Sequence, residues 1–262
     1  MRILVTNDDG INAPGLHALR EIANKLSDDV WVVAPETNQS GASHSLTLHE
    51  PLRCRDVDER VYAIKGTPTD CVIMGVRHIL KDNPPTLVLS GVNRGSNIAE
   101  DVTYSGTIAG AIEGTLLGVR SIALSLSMGF DPEGRHHWET TLAHGPGLIT
   151  SLLDQPFAPG VLMNVNFPDL PPDDVAGIAI TTQGKRDPGM LHIDERADTW
   201  GTPYYWFGFE RRKSRLVENT DLWAMAHGLI SVTPLSVDLT HGASLAALAK
   251  RFPTPKKPRL TD

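Results

Sequence analysis

Two carboxylates, Asp8 and Asp9, stand side by side one residue beyond the short apolar run of residues 2–6. Adjacent acids at the end of a strand repel each other unless a cation neutralises them or one keeps a proton. A divalent metal answers that repulsion, and the companions the chain offers are oxygen donors: the Ser40 hydroxyl, the Asn93 amide carbonyl and water. All-oxygen ligation with few protein ligands suits magnesium or manganese, which keep several waters and meet a substrate phosphate through the ion. No HExxH and no His pair at helical spacing occurs, which disfavours a zinc hydrolase. Asp8-Asp9-Gly10 also suits an ordinary turn with local side-chain hydrogen bonds. Its position at a strand end, beside other polar loops, is what brings the catalytic reading level with the bland one.

A second feature is Tyr104-Ser105-Gly106-Thr107, followed by small residues. If a helix starts there, its first-turn N–H groups and dipole form an anion site to which the Ser105 and Thr107 hydroxyls add donors. Ser105 also suits a plain N-cap, and the two roles are compatible. Gly66-Thr67-Pro68-Thr69-Asp70 reads as a capping box, with Pro at the first helical position and Asp70 as the reciprocal cap. His44, in the polar loop 36–45, is an auxiliary candidate. His136-His137 reads as a surface pair and Cys71 as packing.

The elements that must position these residues follow from periodicity. Residues 2–6 form a strand. Leu16, Leu19, Ile22, Ala23 and Leu26 then share one face of a helix, and 30–34 is a β-branched strand stopped by Pro35. Strand, helix, strand at this spacing is a βαβ unit and requires a buried parallel sheet. Further strands are expected at 46–52, 61–65, 86–90, 121–125 and 229–235. Helices are expected from Thr67, with Val72, Val76, Ile79 and Leu80 inward, and over about 105–118. The alternation predicts a doubly wound α/β fold. In such a sheet the polar residues after each strand converge: Asn7, Asp8 and Asp9, then Asn38, Ser40, Ser43 and His44, then Ser90, Asn93 and Asn97.

Three parts are expected: a core over 1–168, a C-terminal part over 169–251, and a disordered tail over 252–262 with three prolines among basic residues. Residues 184–216 carry Trp200, Tyr204, Tyr205, Trp206, Phe207 and Phe209 without helical period. They read as an extended arm or hairpin that packs on a second subunit, because alone it could not bury its aromatics.

Composition narrows the class. The 262 residues hold 24 Lys plus Arg against 31 Asp plus Glu, a net charge of −7, so the field has the wrong sign for duplex nucleic acid. No apolar run is long enough to span a bilayer, and the N-terminus turns acidic before a signal peptide could form. Two cysteines, Cys54 and Cys71, make no disulfide framework, and a reducing cytoplasm is the expected location.

Several ordered motifs carry a resemblance. Asn7-Asp8-Asp9-Gly10 with Ala13-Pro14-Gly15, Val33-Ala34-Pro35 leading to Ser40-Gly41-Ala42-Ser43, and Gly66-Thr67-Pro68-Thr69-Asp70-Cys71 resemble the SurE (survival protein E) family of metal-dependent nucleotidases. So do the run from Ser90 through Gly91, Val92, Asn93, Arg94, Gly95 and Ser96 to Asn97, then Tyr104-Ser105-Gly106-Thr107 with Glu113-Gly114. Asn164-Val165-Asn166, Ser231-Val232-Thr233-Pro234-Leu235 and Asp238-Leu239-Thr240 extend the likeness to about residue 240. The resemblance implies a Rossmann-like, mostly parallel sheet flanked by helices, with a C-terminal arm used in a homodimer or homotetramer. It implies hydrolysis of nucleoside 5′- and 3′-monophosphates, with short polyphosphate as a further substrate. One divalent ion per subunit is implied at Asp8, Asp9, Ser40 and Asn93, with Asp8 and Asp9 catalytic and Asn97, Ser105, Gly106 and Thr107 near the substrate phosphate. The arm departs from the pattern: Asp198-Thr199-Trp200-Gly201-Thr202-Pro203 stands where many relatives have a shorter arginine-containing turn. Two rival functions are an aspartyl-phosphate phosphatase using Asp8 or Asp9 as nucleophile, and a regulatory module that binds nucleotides without cleaving them. The first usually spaces its acids Asp-x-Asp, and the second gains nothing from paired acids unless it recruits a metal.

Overall fold

The computed structural model describes residues 1–128, 136–186, 191–209 and 216–252. Strand β1 (Arg2–Thr6) leads to helix α1 (Pro14–Asn24) and back to β2 (Asp29–Pro35), the βαβ unit the sequence predicts. Then follow β3 (Cys54–Asp58), β4 (Val61–Ile64) and α2 (Pro68–Met74), which runs into a π-helical turn at Gly75–Ile79. Next come β5 (Leu87–Arg94), a 3-10 turn (Ala99–Thr103), α3 (Gly106–Leu116) and β6 (Arg120–Leu126). The chain continues through α4 (Trp138–Leu153), β7 (Val161–Phe167), β8 (Gly177–Ile180), β9 (Leu191–Ala197) and β10 (Pro203–Phe209). It closes with α5 (Asp221–Ala226), β11 (Leu229–Ser236) and α6 (Gly242–Arg251).

Nine strands form one sheet in the order β3-β4-β2-β1-β5-β6-β7-β11-β8. The run from β4 to β7 is parallel throughout; β3 and β11 are antiparallel to their inner neighbours, and β8 runs parallel to β11. Strands β9 and β10 form a separate antiparallel hairpin. The fold is therefore α/β, with a mixed, mostly parallel sheet and a small hairpin. Strand β11, late in the chain, lies in the same sheet as β1.

The central strands of the sheet are buried on both faces and so read as continuous apolar runs, whereas the edge strands β3 and β8 are exposed on one face or both. Ile3 and Val5 pack with Leu19, Ile22 and Ile149 beneath α1 and α4, while Leu4, Val33 and Ile64 pack with Val72 and Val76 of the α2 side. Helix α3 lies close on the sheet because its glycines carry no Cβ: one added at Gly110 would stand 2.8 Å from the Ser90 hydroxyl.

The expected strand at 46–52 is absent, and β4 pairs instead with β3, formed by Cys54–Asp58. The alternation of residues 46–52 does not mark a buried face, since Leu46 and Leu48 are exposed. Their backbone is tied to the start of α2, where the Thr47 N–H and hydroxyl donate to the Asp70 carboxylate at 3.1 Å and 2.6 Å. Strand β5 runs beyond the expected 86–90, with a register shift against β6 between Ser90 and Asn93. Elements α4, β7, β8, α5 and α6 have no counterpart in the sequence reading. The capping box forms as predicted, with Thr67 and Asp70 each bonding the other's backbone. From residue 253 the expected tail lies outside the described residues, as do 187–190 and 210–215 of the arm. Among the described residues no helix is long and apolar enough to cross a membrane.

Candidate active site

From β1 the chain moves outward to β2 and β4; from β5 it moves the other way to β6 and β7. Where neighbouring parallel strands part in this manner, a crevice opens at their carboxyl ends. Residues 7–9 leave β1 at that point, and Asn93 and Arg94 close the neighbouring β5.

Asp8 is 3% exposed. Its Oδ1 accepts a hydrogen bond from the Thr107 hydroxyl in the first turn of α3, and its backbone carbonyl accepts from the Gln39 N–H at 2.7 Å. Asp9 Oδ2 accepts from the Arg94 N–H at 3.1 Å, and Oδ1 is 3.5 Å from the Asn38 amide nitrogen. The loop after β2, the end of β5 and the start of α3 thus all close on the acidic pair. Burial is the largest influence on both carboxyls. Asp8 is pushed up to about 6; the Thr107 hydrogen bond counters this and the Asp9 charge adds to it. Asp9 is raised as well, against the opposing pull of Arg94.

Linkage gives this a consequence for stability. Without a cation, the folded chain holds a proton on Asp8 that the unfolded chain has released. Stability is then greatest below the ordinary 3.8 and is lost as pH rises through about 6, a fall on the order of 3 kcal/mol. Thermal melts in chelator between about pH 4 and about pH 7 should therefore give Asp8→Asn a flatter profile than the unsubstituted chain. Parallel profiles would contradict the assignment.

The donor set fits a hard divalent cation. Two crowded carboxylates, one buried and one half-buried, need a positive charge, and the Asn93 amide nitrogen is occupied by the Gly95 carbonyl at 2.8 Å, which leaves its oxygen to accept. Ser40 is exposed one residue beyond the Gln39 contact, its backbone held by Asn38 at 2.8 Å. Nearby, the Asn7 side-chain oxygen is buried without a partner. Among the described residues no group of three His, Cys, Asp or Glu gathers, so the available ligands are two carboxylates and neutral oxygens.

The remaining expected site residues fall as follows. Ser105 is the N-cap of α3, its hydroxyl oxygen accepting from the Ile108 N–H at 3.0 Å. Gly106 lies against Asp8: an added Cβ would stand 2.7 Å from Asp8 Cβ. Asn97 belongs to a buried amide cluster. Its Nδ2 donates to Ser125 at 2.9 Å, its N–H donates to Asn166 at 2.8 Å, and its carbonyl accepts from Asn164 at 2.8 Å. In the sequence that cluster is marked only by the Asn164-Val165-Asn166 motif of the resemblance; in the structure its two amides share one face of β7. His44 is placed against Glu113, 2.9 Å away on α3. His136 is not a surface residue: its side chain is 9% exposed and lies 3.3 Å from Asp169. The surface expectation fails for His136, beside which Asp169, just after β7, also accepts the His137 N–H at 2.8 Å; it holds for the His137 side chain, which is 37% exposed. Asn38, expected in the converging polar loop, does stand beside Asp9; the nearby Arg94 and Trp138 were not anticipated as site residues, since nothing in their local sequence distinguishes them.

Comparison with known proteins agrees over most of the chain. The family model described as Survival protein SurE matches residues 3–189. A protein of Azorhizobium caulinodans named 5′-nucleotidase SurE is 60% identical over 252 residues, covering 96% of this chain and 99% of that protein. One of the same name from Methylorubrum extorquens is 58% identical with the same coverage. The crystal structure of the SurE protein from Aquifex aeolicus superposes with a TM-score of 0.83 at 40% identity, covering 96% of this chain and 99% of that one.

Proposed function

The chain belongs to the survival protein SurE family, and on that premise we propose that it is a 5′-nucleotidase, a phosphoric monoester hydrolase. We extend the reading to nucleoside 3′-monophosphates and short polyphosphate, with one magnesium or manganese ion per subunit. The observation that carries it is the adjacent pair of buried Asp8 and half-buried Asp9 at the switch point, with both carboxyls raised. Asp8, Asp9, Ser40 and Asn93 would hold the ion. When bound, it supplies the positive charge that lets an anionic phosphate approach these carboxylates.

The chain's own residues do the rest. Thr107 fixes the Asp8 carboxylate through its hydroxyl. The Gly106 and Thr107 N–H groups at the start of α3, with the Ser105 hydroxyl, donate to phosphate oxygens, aided by the helix dipole. We assign Asn97, held by the Asn164 and Asn166 amides, to the phosphate end as well. A water oriented by Asp9 attacks phosphorus in line with the departing oxygen, and positioning and electrostatics supply most of the rate. Phosphate release from adenosine 5′-monophosphate, abolished by chelator and restored by manganese, is the expected result. Turnover that survives complete chelation, or none with any nucleoside monophosphate, would overturn the reading.

The division into 1–168 and 169–251 completes the proposal, with the β9–β10 hairpin as an oligomerisation arm. Tyr205, Trp206 and Phe207 on β10 are 59%, 60% and 75% exposed, and Ile193 on β9 is 62% exposed. A two-stranded hairpin is marginal by itself, and burying these side chains on a second copy stabilises it. Light scattering at micromolar concentration should give the mass of a dimer or tetramer; a monomeric mass would refute the assignment.

A further inference from the structure

A cleft of about 400 Å³ opens beside Asp9, lined also by Ala13, Asn38, Arg94, His136 and Trp138. This volume is in the range of small-molecule sites and is more than a phosphate group fills. Its wall chemistry differs from that of the phosphate end. Trp138 offers a half-buried indole and Arg94 an exposed planar guanidinium, both suited to stacking on a heterocycle. His136 adds a polar point. Its side chain is 9% exposed, and Asp169, 3.3 Å from Nδ1, fixes the ring. Nε2 is buried with no hydrogen-bond partner. A buried polar atom left unmet costs about 1–3 kcal/mol, which a ligand group of matching polarity recovers. Imidazole Nε2 can donate or accept according to its tautomer, so a hydroxyl or a ring nitrogen meets it. A second anion is disfavoured there by the Asp9 carboxylate.

We propose that this cleft seats the nucleoside leaving group, with His136 as its polar contact and Arg94 and Trp138 as its stacking walls. The inference rests on the nucleotidase reading and adds where the substrate's organic part lies. Phosphorus stands at Asp8, Asp9 and the start of α3, so the cleft adjoining Asp9 receives what is attached to it.

The test compares manganese-saturated, full-length protein acting on adenosine 5′-monophosphate and on glycerol 2-phosphate, whose leaving group has no base. His136→Gln and Arg94→Ala should each lower the ratio of kcat/KM for the nucleotide to that for the small ester. The fall for His136→Gln should be about tenfold, one buried hydrogen bond's worth, and should appear mainly in KM. Adenosine alone should shift the His136 imidazole resonances of the unsubstituted protein. Arg94 is exposed, so Arg94→Ala remains informative if His136→Gln folds poorly. A proportional loss on both substrates would reduce His136 and Arg94 to structural roles and overturn the proposal, as would an adenosine titration that leaves the imidazole unmoved. If the unsubstituted protein cleaves the small ester but no nucleotide, the nucleotidase reading itself falls and takes this inference with it.

Discussion

Asp8→Asn is expected to lower kcat for nucleotide hydrolysis at saturating manganese by on the order of 10³-fold, in line with the loss of a main electrostatic contact at the reacting group. The substitution keeps the shape of the side chain and its ability to accept from Thr107. It removes the negative charge. The carboxyl that burial raises to about 6 is thereby replaced by a permanently neutral group, so the same variant should melt higher than the unsubstituted chain in chelator near neutral pH. Lower activity with higher metal-free stability separates a functional charge from a structural one. Near-native turnover in the metal-saturated variant would show that Asp8 is not the residue on which the chemistry depends.

Gly106→Ala should be the second most damaging change, although it adds a single methyl group. The new Cβ would lie 2.7 Å from Asp8 Cβ and 3.0 Å from Asp8 Oδ2, closer than real Cβ atoms pack. Asp8 cannot swing away cheaply, because the Thr107 hydroxyl in the next position of the same helix holds its other oxygen. Either the start of α3 shifts or the carboxylate turns out of place. Overpacking of this kind costs about 1–3 kcal/mol. A misplacement of about 1 Å at a reacting group costs on the order of 10²-fold in rate. Both should be visible, the first in thermal melts and the second in kcat/KM together with weaker manganese binding by calorimetry. A variant that binds manganese and turns over like the unsubstituted chain would show that α3 yields freely and that the contact has no functional meaning.

The parts of the molecule that were legible in the sequence are those governed by neighbours along the chain. The β1–α1–β2 unit follows from apolar period and from Pro14 and Pro35 as punctuation. The Thr67–Asp70 capping box is a four-residue device, and both of its hydrogen bonds are present. Asp8 and Asp9 were identifiable because two like charges at a strand end require an explanation wherever they occur. Residues 46–52 misled for the same local reason: they alternate as a strand does, but β3 takes the edge of β4 that they would need.

The remaining site relations connect residues far apart in sequence. Thr107 reaches Asp8 across 99 positions, Arg94 reaches Asp9 across 85, and Asn166 reaches Asn97 across 69. None has a local signature, since a Thr in a helix's first turn or an Asn in a strand is ordinary until the partner is known. His136 looked like a surface residue, and the contact with Asp169, which follows β7, appears only in the fold. The sequence by itself determined the N-terminal βαβ unit, the capping box and the acidic pair, because propensity, capping and charge repulsion act over a few residues. The tertiary structure alone decided which side chain holds Asp8, how close α3 stands to it and what lines the cleft beside Asp9, because packing brings together residues that the chain keeps apart.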